Sequence, residues 1–114
     1  LMSSSATYLP FPRAEAYGAS KAAITYLGRS LRVDLAKHGI GVSVICPGFV
    51  KTPLTAKNDF AMPMQISPQQ AAVAIYNGMQ RQKCEIHFPT KFTWLLKLAS
   101  LLPEKLLVSL LAPK

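Results

Sequence analysis

The sequence predicts an α/β fold, a parallel β-sheet covered by helices. Two observations carry this prediction. Short β-branched or alternating segments are separated by stretches long enough to form helical crossovers, the connection that parallel strands require. Half of the 114 residues (50%) are apolar, enough for a small domain with a buried core. Only three strand segments are found, so the sheet is expected to be part of a larger one.

Leu1 and Met2 lead into Ser3, Ser4 and Ser5, the pattern of a buried strand ending in a loop, and the chain is expected to begin in mid-fold. Pro10 and Pro12 keep the next residues extended. From about Arg13 helix formers run to Lys37 or His38, where Gly39 supplies a stop. At about 100° per residue, Tyr17, Lys21, Ile24, Gly28, Leu31 and Leu35 share one face, which should lie on the sheet. Gly28 on that face permits close approach.

"IGVSVIC", Ile40 to Cys46, is β-branched and short, a buried strand ended by Pro47 and Gly48. Thr52 to Pro63 lacks periodicity and mixes Pro, Asn, Asp and Met, as a lid over a site would. Ser67 and Gln70 form a capping box with Pro68 at the first helical position, which predicts a helix over Pro68 to Gln82 with Ala72, Ile75, Tyr76 and Met79 as its apolar stripe. "CEIHF", Cys84 to Phe88, alternates as a short strand does.

The tail holds two leucine-rich helical pieces divided at Pro103. Phe92, Leu95, Leu96, Ala99 and Leu102 share one side of the first, and Leu106, Leu107, Leu110 and Leu111 mark the second. Core or dimer packing is the reading carried forward. A membrane-surface contact beside Trp94 and a cover for an apolar substrate entrance use the same pattern.

Composition narrows the function classes. Cys46 and Cys84 are far apart and fit neither a disulfide framework nor a metal site, and His38 and His87 do not change that. Neither a signal-peptide pattern nor a membrane-spanning apolar run occurs, so the expectation is a cytoplasmic protein, with peripheral membrane contact through the tail as a further option. The net charge of +8 suits a solvated basic surface or a polyanion such as a phosphate-rich cofactor. Nucleic acid is disfavoured because the basic residues are dispersed and no recognition helix or aromatic platform accompanies them.

The chemistry concentrates in "SSSATYLPFPRAEAYGASK", Ser3 to Lys21. A tyrosine serves as acid or base near neutral pH only when something lowers its usual pKa of about 10, and a nearby cation favours the phenolate. Lys21, four residues after Tyr17, projects from the same side of the helix one turn on. Ser4 lies thirteen residues before Tyr17, and the proline-containing loop can return its hydroxyl toward the phenol as a donor to a substrate oxygen. Tyr-x-x-x-Lys alone is a weak signal in a chain with four tyrosines. Together with the serine-rich strand end, the long helix and a β-branched strand closed by Pro-Gly, it is specific.

From Leu1 to about Phe88 these features resemble the C-terminal half of a short-chain dehydrogenase/reductase. "SSSAT" stands at the family's Ser-Ser-x-Ala-Gly with Thr7 replacing the glycine, "YGASKAA" is close to Tyr-x-x-Ser-Lys-Ala-Ala, and "CPGFVKT" resembles Pro-Gly-x-Ile/Val-x-Thr. The resemblance implies a partial Rossmann-type parallel sheet with helical crossovers that lacks the N-terminal cofactor-binding strands. Residues 1–90 would be the catalytic half of the domain and 91–114 an amphipathic helical extension.

It further implies NAD(P)-dependent interconversion of an alcohol and a ketone. Ser4 would orient the substrate oxygen with Ser3 and Ser5 in support. Tyr17 would transfer the proton, and Lys21 would assist Tyr17 and hold the nicotinamide ribose. Pro47, Gly48, Val50 (through its backbone) and Thr52 (through its hydroxyl) would line the nicotinamide, and Ser20 would serve packing. No metal is implied. A homo-oligomer built on the Tyr17 helix, a small and apolar alcohol or ketone substrate, and a lid at 52–63 complete the expectation.

The family's Gly-rich pyrophosphate turn, Asn-Ala-Gly segment and catalytic Asn have no counterpart here, so the sequence does not choose between NAD and NADP. A truncated sequence is the reading that follows, with the 114-residue chain inactive or poorly folded by itself. The alternative is a non-catalytic truncated family member acting as a structural or interaction protein.

Overall fold

Gly39 ends the first helical run as its position predicts. Its φ is 69°, in the left-handed region where a side chain is strained, and its amide closes the last turn onto the Ala36 carbonyl at 3.1 Å. In the computed structural model, which describes residues 1–53, 55–57, 62 and 64–113, that run is helix α1 (Glu15–Leu35) continued by a single 3₁₀ turn (Ala36–His38).

Strand β1 (Val44–Pro47) follows, then helix α2 (Pro68–Gln80), strand β2 (Glu85–Phe88) and helices α3 (Thr90–Ala99) and α4 (Glu104–Leu111). The capping box of α2 is complete: the Ser67 hydroxyl accepts from the Gln70 amide at 3.1 Å, and the Gln70 side chain accepts from the Ser67 amide at 2.9 Å.

β1 and β2 pair in parallel, with Val44 opposite Glu85 and Pro47 opposite Phe88. The chain start lies along the other edge of β1. Met2 and Ile45 form a parallel bridge, the Ser3 amide donates to the Ile45 carbonyl, and the Ile45 amide donates to the Leu1 carbonyl, both at 2.7 Å. The described sheet therefore has β1 at its centre, with α1 and α2 as the two crossovers.

Strand residues alternate between faces, so Val44, Cys46, Glu85 and His87 point one way and Ile45, Ile86 and Phe88 the other. α1 seats on the first face at Gly28, where a Cβ would lie 2.5 Å from Val44 Cγ2. α3 lies over the same face, joined to it by a Thr93–His87 hydrogen bond and a Lys97–Glu85 ion pair. α2 covers the opposite face, where Ala71, Ile86 and Phe88 are buried with Ala74 and Ile75 against them.

The predicted strand over Ile40–Cys46 is shorter and later in the structure. Residues 40–43 precede the first pair with β2, and the Val42 carbonyl accepts from Arg32 Nε at 3.0 Å. Pro47, expected to end the strand, is its last residue.

The predicted stripe of α2 is also corrected. Ala72, Tyr76 and Met79 face outward, while Ala71, Ala74, Ile75 and Gly78 face the sheet. A Cβ on Gly78 would lie 2.6 Å from Ile86 Cγ1, so small residues win this face because they let the helix sit close.

In the tail, Phe92, Leu96 and Leu107 are buried with Leu9, and Ala99 and Leu111 pack beside them, whereas Leu95 and Leu102 are exposed. The tail thus packs on the loop that joins Ser4 to α1. Among the described residues, no helix is long and apolar enough to cross a membrane.

Candidate active site

Ser4 lies where the first strand turns over. Its backbone is extended (φ −162°), the residue is 7% exposed, and its Oγ accepts from the Ala6 amide at 3.1 Å, which caps the 3₁₀ turn Ser5–Thr7. This leaves the Ser4 O–H hydrogen without an acceptor among the described residues, so a buried hydroxyl retains a donor to offer. No hydrogen bond joins Ser4 to Tyr17 among the described residues; Ser4 Oγ accepts from the amide of its own turn.

Ser3 anchors this strand end to α1. Its hydroxyl lies 2.9 Å from the Lys21 carbonyl and 2.6 Å from Thr25 Oγ1, beneath the turn that carries the candidate base. Ser5 is buried, and its carbonyl accepts from the Tyr8 amide at 3.1 Å.

Tyr17 sits in the first turn of α1 with its side chain 53% exposed. Lys21 follows one turn later with Nζ 5.8 Å from the Tyr17 ring centroid, cation-over-ring geometry, and 3.5 Å from the Met2 carbonyl. Phenol and ammonium are therefore paired in space beside the serine strand. Ser20 lies in the same turn and donates its hydroxyl to the Tyr17 carbonyl at 2.8 Å, a local backbone contact.

The second group of predicted residues lies at the end of β1. Pro47 pairs with Phe88, and the Gly48 amide donates to the Phe88 carbonyl at 2.7 Å. A Cβ on Gly48 would meet Pro89 Cδ at 3.1 Å and both the Phe88 carbonyl and Phe92 at 3.2 Å, so the packing of the chain itself crowds this position. Val50 forms a parallel bridge with Ile66, and the Lys51 amide donates to the Ile66 carbonyl at 2.7 Å, which closes the base of the 51–65 loop.

Thr52 and Thr55 cap one another: the Thr55 amide donates to Thr52 Oγ1 at 3.2 Å and the Thr52 amide to Thr55 Oγ1 at 2.9 Å. Thr55 Oγ1 also donates to the Val50 carbonyl at 2.7 Å. The Thr-x-x-Thr spacing carried this signal in the sequence, and Thr55 was missed. Of the expected lid at 52–63, residues 54, 58–61 and 63 lie outside the described residues.

Beside these sits a polar cluster that the sequence reading did not contain. Tyr8 donates its hydroxyl to Glu85 Oε1, and Lys97 Nζ lies 3.0 Å from the same oxygen. Burial, together with the bond to Glu85, pushes the Tyr8 phenol up and keeps it protonated. Burial opposes the Glu85 carboxylate, but the Tyr8 bond and the Lys97 ammonium outweigh it and hold Glu85 below the usual carboxylate range.

Burial likewise holds His87 below its usual value, with Lys97 adding to the effect, and its Nδ1 lies 2.5 Å from Thr93 Oγ1. Cys46 is 1% exposed, and burial raises its thiol. Tyr8 and Glu85 are separated by 77 positions, so no local pattern announces the cluster.

Residues 1–62 match the family described as "short chain dehydrogenase". The chain belongs to the short-chain dehydrogenase family. Among curated relatives, it is 41% identical over 91 residues to an uncharacterized oxidoreductase of Myxococcus xanthus, covering 80% of this chain and 36% of the relative. It is 30% identical over 110 residues to 11-beta-hydroxysteroid dehydrogenase-like 3 of Arabidopsis thaliana, covering 90% and 35%. This short-chain dehydrogenase chain thus spans about a third of the length of those relatives, 36% and 35%.

Two solved structures share the fold. A short-chain dehydrogenase from Sphingobium yanoikuyae in complex with NADPH superposes with a TM-score of 0.69 at 20% identity, over 90% of this chain and 44% of that one. A 4-hydroxyisoleucine dehydrogenase complexed with NADH and succinate gives 0.59 at 23% identity, over 75% and 41%. These neighbours bear out the α/β fold with a partial Rossmann-type sheet.

Proposed function

We propose that the full-length protein is an NAD(P)-dependent oxidoreductase that interconverts an alcohol and a ketone, and that residues 1–90 carry its proton-transfer machinery, with 91–114 as a helical extension. The observation that carries this reading is the pairing of Lys21 Nζ with the exposed Tyr17 ring, 5.8 Å from its centroid, next to a buried serine with a donor to spare. The relatives named oxidoreductases or dehydrogenases, and the fold neighbours complexed with NADPH or NADH, support it.

The donor set fits the ribose end of a nicotinamide cofactor. Lys21 has no carboxylate partner among the described residues, and its ammonium and the Tyr17 hydroxyl suit a sugar diol. The chain holds no Gly-rich turn for the pyrophosphate. When bound, the nicotinamide supplies the hydride.

This chain's residues do the rest. Ser4 donates its free O–H to the substrate oxygen and orients it. Tyr17 gives its proton to that oxygen as charge develops in the reducing direction and takes it back in the oxidising one. Lys21 holds the ribose through its ammonium. The backbone at Pro47, Gly48 and Val50 and the Thr52 hydroxyl form the nicotinamide side of the site, and the substrate is an apolar ketone or alcohol. The outer face of α1, with Tyr26 77% exposed and Val33 beside it, is the surface for a homo-oligomer.

The test is Tyr17→Phe in the full-length protein, assayed with NADH and NADPH on a panel of apolar ketones. Loss of turnover with the fold retained supports the reading. Turnover equal to that of the unsubstituted protein removes Tyr17 from the mechanism, and absence of turnover in the unsubstituted protein favours a non-catalytic interaction protein.

A further inference from the structure

The segment that joins Ser4 to Tyr17 is tied to the C-terminal helices by two kinds of contact. Leu9 is buried with Phe92 and Leu96 of α3 and Leu107 of α4. One residue earlier, the Tyr8 hydroxyl donates to Glu85 Oε1 on β2, and Lys97 of α3 places its ammonium 3.0 Å from that oxygen and 5.4 Å from the Tyr8 ring centroid. A phenol, a carboxylate and an ammonium sharing one oxygen make a charge-assisted unit whose parts restrain one another.

Tyr8 also belongs to the turn that Ser4 opens. The Tyr8 amide donates to the Ser5 carbonyl at 3.1 Å, the Thr7 amide to the Ser4 carbonyl at 3.2 Å, and the Ala6 amide to Ser4 Oγ at 3.1 Å. Displacing the Tyr8 side chain therefore displaces the groups that orient Ser4. Glu85 is the member of the unit that both donors share.

We propose that Glu85 is a positioning residue for Ser4: through Tyr8 it holds the turn that presents the serine hydroxyl, and through Lys97 it makes that hold depend on the docking of α3. The catalytic consequence rests on the reading of Ser4 given above. The hold itself does not, and it is read from amide protection.

In the full-length protein, Tyr8→Phe, Glu85→Ala and the neutral pair Glu85→Gln with Lys97→Met would be compared by amide hydrogen exchange and by steady-state kinetics on a ketone. Tyr8→Phe and Glu85→Ala should speed exchange at Ala6, Thr7 and Tyr8 about tenfold, the scale of one lost hydrogen bond, with β1 amides unchanged. Their kcat should fall about tenfold with KM within about twofold. The neutral pair should restore both only in part, because a glutamine amide oxygen still accepts from Tyr8 while the ionic link to α3 through Lys97 is gone; full restoration overturns the Lys97 half of the proposal.

Unchanged exchange at the three amides, or a rise shared equally by β1, overturns the proposal. So does a loss confined to KM. If the unsubstituted protein turns over no ketone while the exchange pattern appears, the oxidoreductase reading falls and the hold on the turn stands.

Discussion

Gly28 on α1 and Val44 on β1 meet so closely that a Cβ on the glycine would lie 2.5 Å from Val44 Cγ2. This contact sets the distance between the helix that carries Tyr17 and Lys21 and the sheet whose edge carries Ser4.

Gly28→Ala should therefore destabilise the protein by about 1–3 kcal/mol, because Val44 is β-branched, hence stiff, and buried. Gly18 lies on the same helix with nothing within 4 Å of its Cβ position, and Gly18→Ala should add up to about 1 kcal/mol. Urea unfolding of the two variants checks the opposite signs. Adding Val44→Ala to Gly28→Ala should lower the strain but leave a smaller core.

Ser4 and Tyr17 should separate stability from activity. Ser4→Ala removes the cap on the Ser5–Thr7 turn and should cost about 0.5–2 kcal/mol in addition to turnover. Tyr17→Phe removes only a hydroxyl on a side chain that is 53% exposed, so the melting temperature should hold while turnover falls by about 10²–10⁴. Melting curves and initial rates on the same samples decide.

Gly48→Ala should destabilise the fold even before any cofactor is considered. Its Cβ would press at 3.1–3.2 Å on Pro89, Phe92 and the Phe88 carbonyl, and the carbonyl cannot rotate away. An overpacking cost of about 1–3 kcal/mol is expected, measured by denaturant unfolding without nucleotide. A variant as stable as the parent would mean that the β2–α3 junction yields easily.

Acid should weaken the protein in two stages. His87 has a folded-state pKa below its ordinary value, so its contribution is present above the unfolded value of about 6.5 and is lost as pH falls through the folded one. Glu85, also lowered, contributes above the unfolded carboxylate value of about 4.3 and loses that contribution at lower pH still. Melting temperature followed from pH 8 to pH 3 should show both declines, and His87→Gln should remove the upper one. A curve for that variant identical to the parent's would take His87 out of the account.

The local geometry of the candidate site was legible in the sequence because its determinants are local. Tyr17 and Lys21 are one turn apart on any helix, Gly39 stops that helix because a left-handed residue is needed there, and Ser67, Pro68 and Gln70 cap α2 within four residues of each other. Such features depend on backbone geometry over a single turn. The α2 stripe was misjudged for the converse reason: hydropathy favours Tyr76 and Met79, whereas the sheet selects Ala71, Ala74 and Gly78 for closeness to Ile86.

The sequence by itself determined the order of strands and helices, the parallel arrangement that crossovers impose, and the residue types of the candidate site. Only the tertiary structure decided which edge each segment takes, that Ser4 caps its own turn, and that Tyr8, Glu85 and Lys97 converge on one oxygen. Those outcomes depend on register. With Val44 opposite Glu85, Glu85 and His87 face α3 while Ile86 and Phe88 face α2, and a shift of one residue would bury the charges beneath the apolar helix.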